Sequence, residues 1–135
     1  MNESKCKVSV GREMRKRIHD LHQLWTAYQQ GYEEAGDTDT LADYGLSFDY
    51  VAPNTFDDQR EGYFRYQLSW GGPSDEFRFF VNLDYSCHRV EYWYLDWFDG
   101  ASLMPSDGEQ SFLLEIWEWF RETGSVASAL RESVQ

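Results

Sequence analysis

Residues 61–82, EGYFRYQLSWGGPSDEFRFFVN, decide the fold class. Phe64, Tyr66, Leu68 and Trp70 alternate with Tyr63, Arg65, Gln67 and Ser69, the period-2 pattern of a strand with one apolar face. Gly71-Gly72-Pro73-Ser74 then reads as a tight connection, because glycine supplies unusual backbone angles and proline cannot extend a ladder. Asp75–Asn82 restarts the alternation with Phe77, Phe79 and Val81 on the buried side. Together these predict a β-hairpin. Leu46–Val51, which ends at the turn Ala52-Pro53-Asn54, and Cys87–Trp97, which follows the turn Asp84-Tyr85-Ser86, add a strand on each side.

Helices are expected at both ends of this strand block. Met14, Ile18, Leu21, Trp25, Tyr28 and Tyr32 recur three and four apart, a helical seam over about residues 12–32. Ser106-Asp-Gly-Glu109 has capping-box spacing, and Phe112, Leu113, Ile116, Trp117 and Phe120 follow as an amphipathic stripe. Gly124 marks a stop. Residues 33–45 read as an acidic loop with room for one helical turn. The expectation is an α+β domain: an N-terminal helix, an antiparallel meander of about four strands, and a C-terminal helix packed on the sheet. All 135 residues fit one domain, with 1–11 a flexible arm and 125–135 a frayed tail.

Charge and aromatic content bound the function. Twelve Lys+Arg oppose 24 Asp+Glu, a net charge of −12, which argues against direct nucleic-acid binding because that requires cations on the protein. Aromatic residues make up 18%, so the chain is not disordered. No apolar run is long enough to span a membrane and MNESKCKVSVGREMRKR contains no signal-peptide core, so the expected location is cytoplasmic. Cys6 and Cys87, far apart in sequence, are expected to be free thiols.

No motif points to an enzyme. GxSxG, Walker-A, GxGxxG and HExxH patterns are all missing, and His19 and His22 on one helix face lack a third metal ligand at a diagnostic spacing. Neither a catalytic residue, a metal site nor a cofactor is therefore expected. Asp96, Asp99 and His88 among aromatic residues leave a small hydrolase with an aromatic and carboxylate cleft as an alternative. A helix seam that pairs with another chain leaves a second, an assembly or adaptor protein.

The charge is concentrated. Residues 33–58 hold Glu33, Glu34, Asp37, Asp39, Asp43, Asp49, Asp57 and Asp58 with no Lys or Arg, while Lys5, Lys7, Arg12, Arg15, Lys16 and Arg17 make residues 1–17 basic. The eight acids are the expected partner-binding residues. Carboxylates at i and i+2 of a strand stand about 6.7 Å apart, a spacing suited to imitating successive nucleic-acid phosphates. Such a surface would occupy the positive groove of a nucleic-acid-binding protein. Arg12, Arg15, Lys16 and Arg17, at the start of the first helix, are expected to contact acids elsewhere in the same fold, with those of 33–58 as candidates.

The segments YGLSFDYVAPNTF (44–56), EGYFRYQLSWGGPSDEFRFF (61–80) and RVEYWYLDWFDGA (89–101) resemble small proteins carried on bacterial plasmids, integrative elements and phages. The resemblance lies in aromatic strand positions and transfers no site residue. It implies a mobile-element setting, in which small acidic proteins include anti-restriction and anti-CRISPR inhibitors. The combined expectation is a non-enzymatic inhibitor, a monomer or homodimer. Its partner would be a basic nucleic-acid-binding protein or CRISPR effector complex.

Overall fold

A computed structural model describes residues 4–31 and 40–134. In chain order they form α1 (Lys5–Gln29), α2 (Leu41–Tyr44), β1 (Ser47–Val51), β2 (Tyr63–Ser69), β3 (Ser74–Val81), β4 (Cys87–Asp96), β5 (Asp99–Leu103), α3 (Asp107–Glu122) and α4 (Ser125–Ser133). The fold is α+β. The strands follow one another in the order β1-β2-β3-β4-β5, and each neighbouring pair is antiparallel, so the sheet is an open meander.

Register assigns every strand residue to a face. Phe64 stands opposite Phe79, Tyr66 opposite Phe77, and Phe79 and Phe77 opposite Val90 and Tyr92. This face meets Met14, Ile18 and Leu21 of α1 and Phe112, Leu113, Ile116, Trp117 and Phe120 of α3 in one core. At its centre the Trp117 ring lies 5.1 Å from Phe64 and 5.3 Å from Phe79, and its Nε1–H donates to the Tyr85 carbonyl at 2.9 Å. The capping box at Ser106 and Glu109 forms as its spacing predicts.

The sheet has five strands where the sequence suggests about four. The strand β5 follows a two-residue turn, Trp97-Phe98, with none of the Gly or Asn that normally announce a hairpin. The expected arm over 1–11 is also corrected. Residues 5–11 are the first two turns of α1, with Cys6 and Val10 buried. These two extend the Met14 seam back at steps of four, hidden in the sequence among lysines and arginines. Ser4 Oγ accepts from the Lys7 amide, and Asp99 of β5 accepts from the Cys6 amide at 3.0 Å. Asp99 thereby places a carboxylate at the positive end of a helix that has no acid of its own in its first turn.

Further along α1 the buried stripe runs through Leu21, Leu24 and Ala27, not through Trp25 and Tyr28; Tyr32 lies outside the described residues. Steps of three and four average the 3.6-residue turn, so the expected seam stays on one helix face; beyond Leu21 the covered face is instead the one turned toward α2, whose Leu41 is buried in the same core as Leu24. The tail is corrected too: residues 125–133 form α4, turned from α3 by Gly124 at φ +86° and anchored by Val126 and Ala129. No described helix is long and apolar enough to cross a membrane.

Candidate partner-binding surface

Two turns meet at one end of the sheet. The β2–β3 turn carries Trp70, Gly71 and Gly72, and the β4–β5 turn carries Trp97 and Phe98. The alternation that predicts Trp70 on the buried face runs past the end of β2, and Trp70 is 78% exposed. Trp97 is 86% exposed and Phe98 fully so. Between the turns lies a cleft of about 390 Å³ lined by Trp70, Gly71, Gly72, Ser74, Leu95 and Trp97. A Cβ at Gly72 would sit 2.8 Å from Trp97 Nε1 and 3.2 Å from Asp96 Oδ1, so only glycine lets the indole and the carboxylate close over this turn.

The Trp97 backbone is strained. Its φ is +54°, in the left-handed region where a Cβ crowds the following carbonyl at a cost of about 1–2 kcal/mol. Glycine relieves that strain but widens the unfolded ensemble, which offsets part of the gain. Trp97→Gly is therefore expected to raise stability by about 0.5–1 kcal/mol, read as a higher urea midpoint, because the exposed indole contributes little packing.

A buried polar network holds this end rigid. Asp75, 1% exposed at the start of β3, accepts from Arg17 Nε at 2.7 Å, Arg17 Nη2 at 3.0 Å, Tyr92 Oη at 2.6 Å and Ser69 Oγ at 2.5 Å. Arg17 Nη1 also donates to Tyr44 Oη at 3.1 Å, and Tyr44 donates to Asp20 at 2.7 Å. Burial alone would lower the Arg17 pKa, but its bonds to Asp75 and Tyr44 outweigh that and hold it above the ordinary value. Burial pushes the Tyr44 hydroxyl up to about 12, so it remains a protonated donor. The network ties α1 and α2 to three strands directly beneath the turns.

The sheet face away from the helices is covered by arginines and carboxylates. Arg65 grips Asp49 with two bonds of 3.0 and 2.7 Å across the β1–β2 ladder. Arg78 pairs with Glu76 at 2.7 Å, and its guanidinium lies 4.0 Å from the Trp93 ring centre and 4.6 Å from that of Tyr63. Arg89 pairs with Glu61 and Glu91, 3.9 Å over Phe80. A groove of about 480 Å³ between this face and the β1–β2 loop is lined by both signs of charge, including Asp57, Asp58, Arg60, Arg78 and Arg89. The ring faces of Trp93 and Phe80 are occupied by arginine, which removes them as platforms for stacking bases.

Of the eight acids expected to bind a partner, the four among the described residues are spread over α2, β1 and the β1–β2 loop. Glu33, Glu34, Asp37 and Asp39 lie outside the described residues. Asp43 is exposed on α2 and accepts from Thr40 Oγ1 at 2.9 Å. Asp49 is committed to Arg65. Asp57 and Asp58 are exposed in the β1–β2 loop, which leaves the opposite end of β1 from the one that α2 leads into. The start of β1, which α2 leads into, pairs with the end of β2 and so lies at the end of the sheet that carries the two aromatic turns, whereas the β1–β2 loop with Asp57 and Asp58 lies at the other end.

Of the basic residues in 1–17, Arg17 pairs within the fold as expected; the acid it meets is Asp75, and it reaches the 33–58 segment through the Tyr44 hydroxyl. Among the described residues Arg12 forms an ion pair only with its neighbour Glu13, at 3.9 Å. His88 is the second residue of β4 and Asp96 its last, so about 27 Å of strand separates them, and Asp99 is engaged by the Cys6 and Gly100 amides. These three side chains do not converge on one pocket. His22 stacks on Phe112 at 3.6 Å, and no group of three potential metal ligands forms among the described residues. Comparison with protein-family models, with curated proteins and with solved structures finds no match to this chain.

Proposed function

We propose that the protein is a non-enzymatic inhibitor that docks on a basic, nucleic-acid-binding partner and keeps nucleic acid off it. The partner would be a CRISPR effector complex or another bacterial defence complex. One observation carries the reading: exposed Trp70, Trp97 and Phe98 stand together with Asp96 at one end of the sheet, on a chain of net charge −12. Large aromatic side chains exposed on a rigid support supply contact energy at little entropic cost and are characteristic anchors of protein interfaces. The surrounding carboxylates accelerate encounter with a basic surface and repel nucleic acid from the same groove.

The test is a pull-down with purified effector complexes, followed by displacement of labelled target DNA. The expected result is mutually exclusive binding that weakens as salt is raised. A ternary complex in which the effector holds protein and DNA together, each with unchanged affinity, would refute competition.

A further inference from the structure

We propose that the cleft between Trp70 and Trp97 is a receptor for a single arginine side chain presented by the partner. The inference rests on the reading of the protein as a binder of basic partners and names what the aromatic end recognises.

The protein's own arginines indicate the occupant. At three places a ring and a carboxylate come together, and each time an arginine lies between them. Arg17 sits 5.7 Å from the Tyr44 ring centre and is held by Asp75. Arg78 sits against Trp93 and Tyr63 and is held by Glu76. Arg89 sits on Phe80 and is held by Glu91. A further ring and carboxylate meet at Gly72, a lining residue of the cleft, whose Cβ position lies 2.8 Å from Trp97 Nε1 and 3.2 Å from Asp96 Oδ1; Asp96 thus stands at the edge of the cleft, not in its lining. No ion pair to Asp96 forms among the described residues, and neither Trp70 nor Trp97 carries a guanidinium.

Chemistry and size agree with that pattern. Indole faces attract cations more strongly than other rings do, and guanidinium, planar and weakly hydrated, is the cation best suited to lie against them. A half-buried carboxylate beside the rings adds a charge-assisted hydrogen bond. At about 390 Å³ the cleft is at the small end of ligand sites and has room for one arginine side chain. The strain kept at Trp97 fixes one wall of the cleft.

Indole N–H signals in a proton–nitrogen correlation spectrum provide the test, with Trp70 and Trp97 assigned through Trp70→Phe and Trp97→Phe. The probe is a Gly-Ser peptide carrying one central arginine, compared with the same peptide carrying citrulline, lysine or glutamate. The arginine peptide should shift both indoles saturably and the citrulline isostere should not. Asp96→Asn should weaken arginine binding by about three- to thirty-fold with the melting temperature unchanged. Equal shifts with citrulline would overturn the proposal in favour of an apolar contact. Indole shifts that depend on protein concentration without peptide would overturn it in favour of a second copy. Shifts with an oligonucleotide but not with the arginine peptide would assign the cleft to nucleic acid. The inhibitor reading fails separately: arginine-specific shifts without DNA displacement leave the cleft and remove competition, and displacement without indole shifts does the reverse.

Discussion

Replacing Arg17 with methionine is expected to cost about 3–5 kcal/mol of folding stability, because it strands a buried carboxylate. Asp75 is 1% exposed and takes two of its four side-chain hydrogen bonds from that guanidinium. Tyr92 and Ser69 remain as neutral donors and do not compensate a buried negative charge. For a chain of 135 residues this corresponds to a fall of roughly 10–20 °C in melting temperature by calorimetry. Arg17→Met with Asp75→Asn should recover much of the loss, since the double variant buries no unpaired charge. A double variant no more stable than Arg17→Met would show that packing of the arginine stem, and not the ion pair, carries the effect.

Trp117→Ala is expected to be as damaging, at about 3–5 kcal/mol. The side chain is fully buried and touches Phe48, Phe64 and Phe79 from the centre of α3. Rings around the site cannot collapse into the space, so the loss includes a cavity as well as transfer of the indole to water. Trp117→Phe should cost less, because it keeps an aromatic body and mainly gives up the hydrogen bond to the Tyr85 carbonyl. Urea unfolding monitored by circular dichroism ranks the two. If Trp117→Ala shifts the midpoint no more than Trp117→Phe, the tryptophan is not the centre of this core.

Local pattern carried the hairpin and failed at its ends. Phe64, Tyr66, Phe77 and Phe79 are legible because each faces the core and its sequence neighbours do not. Trp70 obeys the same alternation one step beyond the ladder, where alternation no longer implies burial. The strand β5 is concealed because Asp-Gly-Ala-Ser-Leu has little strand propensity and pairs only through its position beside β4.

Charge behaves similarly. Composition shows the excess of acid, but which acids are spent depends on register and distant contacts. Asp49 is neutralised because it lies opposite Arg65, and Asp75 because α1 brings Arg17 to it from 58 residues away. The pairing of Trp70 with Trp97 is equally non-local, since only the meander brings the two turns to one end of the sheet.

Oxidative footprinting of the tryptophans, read by mass spectrometry, tests most directly whether this end of the sheet is the contact surface. The protein is labelled alone and in complex with a purified effector that it captures. Trp70 and Trp97, the most exposed tryptophans among the described residues, should lose most of their reactivity in the complex, while Trp25 and Trp93 keep theirs. Unchanged labelling of Trp70 and Trp97 in a saturated complex, with protection at Trp93 or at Phe56 of the β1–β2 loop, would contradict the account and move the interface to the arginine-covered face.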